Sequence, residues 1–246
     1  MITSFFFNHT LLFIRHPYLC RKITDMKQYW WKILTVALLF YTVIGGLLFE
    51  APRLPILHET IRNLHFHVPM WFGMMILLTV SVVNSIRYLR NPLEKYDYLA
   101  VESANTGIVF GILGLTTGAV WARFTWGSFW SGDPKQNASA IAMLIYFAYL
   151  LLRNSFTDHQ KRGRISAVYN IFAFATYIPL IYILPRLTNS LHPGAGGNPG
   201  FNAYDLDANL RIVFYPAVIA WALLGWWITS LRVRYRMIEE KLLTND

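Results

Sequence analysis

The chain has 246 residues, 55% of them hydrophobic and only 14% charged, with a formal net charge of +9. That composition belongs to membrane proteins. Its one cysteine, Cys20, excludes an internal disulfide and a cysteine metal cluster. The basic residues stand in short clusters beside apolar runs, as membrane topology requires, which argues against nucleic acid as a partner.

Residues 1–32 open with the apolar groups Phe5-Phe6-Phe7 and Leu11-Leu12-Phe13-Ile14, interrupted by Asn8, His9 and Arg15. No small-residue cleavage site follows, so no signal peptide is read there. Residues 1–25 are expected to be a dispensable extension, with a natural start near Met26 and a single membrane domain over 26–246. Six apolar stretches follow, at about Ile33–Phe49, Val68–Leu89, Tyr98–Trp121, Ala138–Leu152, Ser166–Leu184 and Ile212–Leu231. Each is near the roughly 20 residues a helix needs to cross hydrocarbon. Gly45-Gly46, Pro179 and Pro216 should weaken or kink their helices, which neighbours in a bundle can repair. Barrel strands would need alternating segments of about 10 residues, and none is seen. The predicted fold is an all-α integral membrane protein with six transmembrane helices.

Sixteen of the 22 basic residues fall on one side of that topology, among them Arg87, Arg90, Arg153, Lys161, Arg232 and Arg236. The positive-inside rule makes that side cytoplasmic and places both termini there. Three loops, 50–67, 122–137 and 185–211, then face outward, the second of them rich in tryptophan and lying between helices 3 and 4. His58, His65, His67 and His192 all lie on the outer face, while His9, His16 and His159 lie inside.

The stretch Val120–Lys135, VWARFTWGSFWSGDPK, gathers Trp121, Trp126, Trp130, Phe124 and Phe129. Two readings are open: an aromatic belt at the headgroup level, or a platform for a flat apolar ligand. His67, in His65-Phe66-His67-Val68-Pro69, should sit at the N-terminal edge of the second helix, because Pro69 suits a first turn. The helix dipole there favours a neutral, metal-ligating imidazole; the alternative is an interfacial histidine bonding free backbone groups. His192 stands in a Gly/Pro-rich loop, Ser190 to Gly200. Two histidines from different loops, with an aromatic loop between them in sequence, point to bis-imidazole ligation of haem iron. Zinc is the weaker reading, since it wants further ligands; His58, His65, Asp133, Asp205 and Asp207 are the outer candidates. There is no phosphate-binding loop. Glu102 and Asn105, in the inner third of the third helix, read either as functional or as a helix-packing hydrogen bond.

Trp126-Gly127-Ser128-Phe129-Trp130-Ser131-Gly132-Asp133-Pro134-Lys135 resembles the tryptophan-rich WWD signature of the haem-handling proteins of cytochrome c biogenesis. Length, helix number and the His-Val-Pro of the second helix look most like the CcmC branch of that family. The Asp-Pro-Lys ending looks like its CcsA branch. The resemblance implies that His67 and His192 are axial ligands of a transiently bound haem b. It implies that Trp126, Gly127, Trp130 and Asp133, with Trp121 beside them, form the haem-edge platform. It further implies delivery of haem from the outer, periplasmic face of the inner membrane to a haem chaperone, beside ATP-binding transporter subunits and a small membrane subunit. Two departures stand out: Gly132 replaces the tryptophan usual before the aspartate, and the continuation is Lys135-Gln136-Asn137.

The expected function is haem handling, not enzyme catalysis. The alternatives are a CcsA-like component of a haem-attachment synthetase, a b-type electron-transfer protein and, last, a solute transporter. Arg123, Lys135 or Arg186 could pair with the propionates. The loop carrying His192 is the expected gate.

Overall fold

The computed structural model describes residues 29–193 and 206–245, and these contain helices and no strand. The extension 1–25, the segment 194–200 and Asp205 lie outside the described residues. Six helices are long and apolar enough to cross a membrane. They are α1 (Trp30–Leu48), α2 (Leu64–Arg90), α3 (Glu94–Trp126), α4 (Pro134–Asn154), α5 (His159–Ile178) and α6 (Ala208–Asn245). A 3-10 helix, His58–Asn63, leads into α2. A π-helical stretch, Pro179–Ile183, and a short turn, Leu184–Leu187, extend α5. In hydrocarbon every backbone N–H and C=O must be satisfied within the segment, and the helix does that.

The helices overrun the apolar stretches at most ends. Hydropathy reports where a helix leaves hydrocarbon, not where its hydrogen-bond ladder stops. The fourth, whose apolar stretch Ala138–Leu152 is the shortest of the six, has 21 residues, about 31 Å at 1.5 Å per residue. Pro69 lies inside α2 rather than in a first turn, because the polar run His58–Asn63 already winds helically and brings α2 in at Leu64. Gly45 and Gly46 do not break α1; they let it approach its neighbours. A Cβ on Gly45 would meet Val213 of α6 at 3.0 Å, and one on Gly46 would meet the Phe66 ring at 3.2 Å.

α2 is the central helix, packed on α3, α5 and α6, while α1 leans on α6 and α4 on α5. Four glycines of α3 meet four α2 side chains in antiparallel order. Added Cβ atoms at Gly107, Gly111, Gly114 and Gly118 would meet Leu78, Met74, Trp71 and His67 respectively. Small residues at such spacing let membrane helices close up where no hydrophobic effect drives them together. Met74, Leu77, Leu78, Ile108, Phe110, Met143, Tyr146 and Tyr177 form the shared core. Asn170 of α5, wholly buried, donates to Ser81 and Ser85 of α2 at 2.7 and 2.8 Å.

Charged residues bind the helices together at one end. Glu102 accepts from Arg232 Nε at 2.6 Å and from Arg236 Nε at 2.8 Å, with Asn105 Nδ2 at 3.2 Å. The helix-packing reading of Glu102 and Asn105 therefore holds, as an ion-paired cluster. The Trp31 and Trp227 rings lie 6.1 Å apart, so the start of α1 and the far part of α6 share that end. The opposite end collects the start of α2, the end of α3, the start of α4 and the end of α5.

Candidate functional site

His67 is the fourth residue of α2 and is 9% exposed. Its ring lies against Gly118, where a Cβ would stand 2.6 Å from Cε1. Trp71 and Trp121 pack edge-on to it with centroids 6.3 and 5.8 Å away. His67 Nδ1 lies 3.1 Å from Thr117 Oγ1. The Thr117 hydroxyl proton is directed to the Leu113 carbonyl at 2.8 Å. With that proton on a backbone carbonyl the Thr117 oxygen is free to accept Nδ1–H, the tautomer that would leave Nε2 for a ligand.

His192 follows the end of α5 and is part-buried. Its Nδ1 donates to Asp133 Oδ1 at 2.9 Å, and its ring meets Trp126 edge-on at 4.9 Å and 74°. Here too Nδ1 is engaged and Nε2 is left for a ligand. The two imidazoles lie at the same end of the bundle, with Trp121 of α3 against one and Trp126 of α3 against the other.

Asp133, which the resemblance puts in the haem-edge platform, joins the start of α4 to the segment that carries His192. It is the N-cap of α4, with Pro134 at the first helical position, and accepts from Lys135 N at 2.9 Å and Gln136 N at 3.4 Å. It also accepts from Ser190 Oγ at 2.8 Å and Leu191 N at 2.7 Å, besides His192. Burial pushes its carboxyl pKa up, but the bonds from His192, Leu191 and Ser190 outweigh this and hold it well below the usual carboxylate range. It is ionised at every physiological pH.

The aromatic stretch divides between the two readings left open above. Only Gly127–Asp133 is loop; Trp121 and Trp126 belong to α3 and turn to the two histidines. Trp121 Nε1 also donates to Thr60 Oγ1 at 3.0 Å. Phe124, Phe129 and Trp130 are 73%, 58% and 45% exposed, as a headgroup belt requires. Trp130 donates from Nε1 to Asn137 Oδ1 at 2.9 Å. Gly127 caps α3 at φ +83°, and its carbonyl accepts from Arg123. Gly132 sits at φ +73° with open space around it. The residue that departs from the family pattern is thus at a left-handed position that suits glycine and strains a tryptophan.

The other histidines stay apart from this pair. His58 is exposed at φ 43°. His65 is buried against α1 near Gly46, two residues from His67 and so on another face of α2. Asp207 caps α6 through Leu210 N at 2.8 Å. Among the described residues, no group of three or more His, Cys, Asp or Glu side chains could hold a metal ion. Thr117 and Gly118 are the site residues that sequence reading missed. The Gly107, Gly111, Gly114, Gly118 spacing was the signal that could have found them.

The family model described as heme exporter protein C matches residues 11–245 of the chain. A "Heme exporter protein C" of Haemophilus influenzae is 23% identical over 233 residues, covering 92% of both chains. Another of that name, from Bradyrhizobium diazoefficiens, is 28% identical over 172 residues, 67% of this chain and 62% of its own. A "Cytochrome c biogenesis protein CcsA" of Pelargonium hortorum is 39% identical over 79 residues, 32% of this chain and 25% of its own.

Proposed function

Because the chain belongs to the heme exporter protein C family, we propose that it holds haem b at the outer face of the cytoplasmic membrane and passes it to a haem chaperone as c-type cytochromes mature. The observation that carries this reading is the pair of imidazoles from separate elements, each engaged through Nδ1 and each keeping Nε2 for iron. Neutral imidazole suits iron, and the edges of Trp121 and Trp126 beside the two rings suit the rim of a porphyrin. His67 and His192 are the axial ligands in this reading. Trp121 and Trp126 cover the apolar rim, and Lys135 offers a cation to a propionate. Arg123 is turned to the Gly127 carbonyl and the Phe129 ring, which makes it the poorer propionate partner.

Haem is cargo here, so the work of the protein is binding, orientation and release, without a bond-breaking step of its own. The charge asymmetry of the loops supports an outward-facing site. Transporter subunits with an ATPase and a small membrane subunit are the partners the family implies.

Absorption spectra of the detergent-purified protein, with haem added back, test the assignment. Wild type should give a six-coordinate b-type spectrum. His67→Ala and His192→Ala should each lose it or convert it to a high-spin form, while His58→Ala and His65→Ala leave it intact. A wild type that takes up no haem, or four histidine variants that behave alike, would overturn the reading.

A CcsA-like synthetase is the second reading, favoured by the Asp133-Pro134-Lys135 ending and by the higher local identity to CcsA proteins. Covalent haem on an apocytochrome co-produced with this chain and no other maturation component would establish it.

A further inference from the structure

Asp133 does more than a helix cap requires. Capping asks one acceptor oxygen to serve the second or third helical N–H, and Lys135 N and Gln136 N fill that role. The same carboxylate, 4% exposed, also gathers three consecutive residues from a segment 57 to 59 positions later: the Ser190 hydroxyl, the Leu191 N–H and the His192 ring. Ser190 Oγ in turn accepts from His192 N at 3.1 Å. Among the described residues, Asp133 is the one side chain of α4 that holds His192.

The two candidate ligands are therefore unequal. His67 is built into a membrane helix and donates to a neutral hydroxyl, that of Thr117. His192 lies past the last turn of α5 and donates to an ionised carboxylate. A carboxylate behind a metal-bound imidazole fixes its tautomer and orientation and raises its basicity. A neutral hydroxyl does this much less.

Resting on the haem-handling reading above, we propose that Asp133 is the positioning residue that makes His192 a ligand. It docks segment 190–192 onto the first turn of α4 and presents Nε2 toward His67. With the carboxylate in place both axial bonds form; once that docking is broken, His192 leaves and haem remains on His67 by one bond. Release then has a defined order, with the Asp133 latch as its first step.

The test compares Asp133→Asn with Asp133→Glu in the full-length protein, because capping and positioning predict opposite orders. Asparagine caps a helix as well as aspartate, and glutamate is not among the favoured caps. A role confined to capping therefore leaves Asp133→Asn like wild type and impairs Asp133→Glu. Positioning by charge predicts the reverse. Asp133→Asn should retain ferric haem about 10- to 100-fold less well, shift the ferric spectrum toward five-coordinate high-spin, and regain the low-spin form on added imidazole. Asp133→Glu should stay largely low-spin. The midpoint potential should rise in Asp133→Asn, because the carboxylate-backed imidazole favours ferric iron; a tenfold loss confined to the ferric state corresponds to about 59 mV. Should Asp133→Asn fail to accumulate, Asp133→Ser, another good cap without charge, takes its place. A low-spin Asp133→Asn with wild-type affinity and potential overturns the latch and leaves the haem site standing. A wild type without six-coordinate haem removes the underlying reading instead.

Discussion

Gly118→Ala is expected to displace haem while leaving the bundle folded. The substituent would stand 2.6 Å from His67 Cε1, 3.3 Å from Nδ1 and 3.4 Å from Nε2, inside normal contact for the first of these. The ring has little freedom to yield. Trp71 and Trp121 flank it, and Thr117 holds its Nδ1. It must rotate away, which breaks the Thr117 bond and turns Nε2 from its direction. Losing such an outer contact to a ligating histidine costs roughly 10- to 100-fold in affinity, and a displaced ring should reach the upper end or beyond. Helix propensity runs the other way, since alanine is favoured over glycine in a helix by about 0.5–1 kcal/mol. Crowding of the packed ring costs about 1–3 kcal/mol and is only partly offset, so the thermal midpoint should fall modestly while the haem titration collapses. Loss of the fold together with haem would make Gly118 a packing position only, and wild-type affinity would mean the ring is not confined as described.

Arg153→Met should destabilise the bundle more than any change at the haem end. Arg153 is 4% exposed and bridges α4 to α3 by two bonds to Asp97, Nη1 to Oδ1 at 2.8 Å and Nη2 to Oδ2 at 2.5 Å. Planar, two-point pairing of this kind is the strongest geometry available to an arginine. Removing one partner leaves the Asp97 carboxylate, whose side chain is 14% exposed, without a countercharge. Breaking a buried pair in this way costs about 3–5 kcal/mol, whereas replacing both partners by apolar groups is often neutral. The single variant should unfold at markedly lower temperature in detergent, and Arg153→Met with Asp97→Leu should recover most of the loss. A single variant that melts with wild type would mean that water reaches Asp97 freely. Haem spectra of the surviving folded fraction should be unchanged, because this pair sits at the other end of α3 and α4 from Asp133 and His67.

The six spans were legible because the thickness of hydrocarbon imposes a one-dimensional requirement, a run of about 20 apolar residues, that needs no knowledge of neighbours. Helix ends were less legible. Glu94–Asp97 and the last turns of α6 are charged, yet they continue helices whose apolar parts lie in the membrane. The same blind spot hid the start of α2 and moved Pro69 from a first turn into the helix. His67 and His192 could be picked out because the topology brings both to one end, on either side of the aromatic stretch in sequence. Glu102, by contrast, could be placed in depth but not given its partners, Arg232 and Arg236, which lie 130 and 134 residues away.

What the sequence by itself determined is architecture and chemistry: an all-helical membrane protein, two imidazoles and an aromatic stretch at one end of it, and a resemblance that the family match bears out. What only the tertiary structure decided is which groups act together. Asp133 reads as one more residue of a tryptophan-rich loop, and becomes the carboxylate behind His192 only when α4 and the end of α5 meet. Gly118 reads as a small residue in an apolar run, and becomes the floor under His67 only when α2 and α3 close. Hydropathy and residue type are properties of single positions. A hydrogen bond between residues 59 apart, or a contact between two helices, exists only after packing has chosen the neighbours.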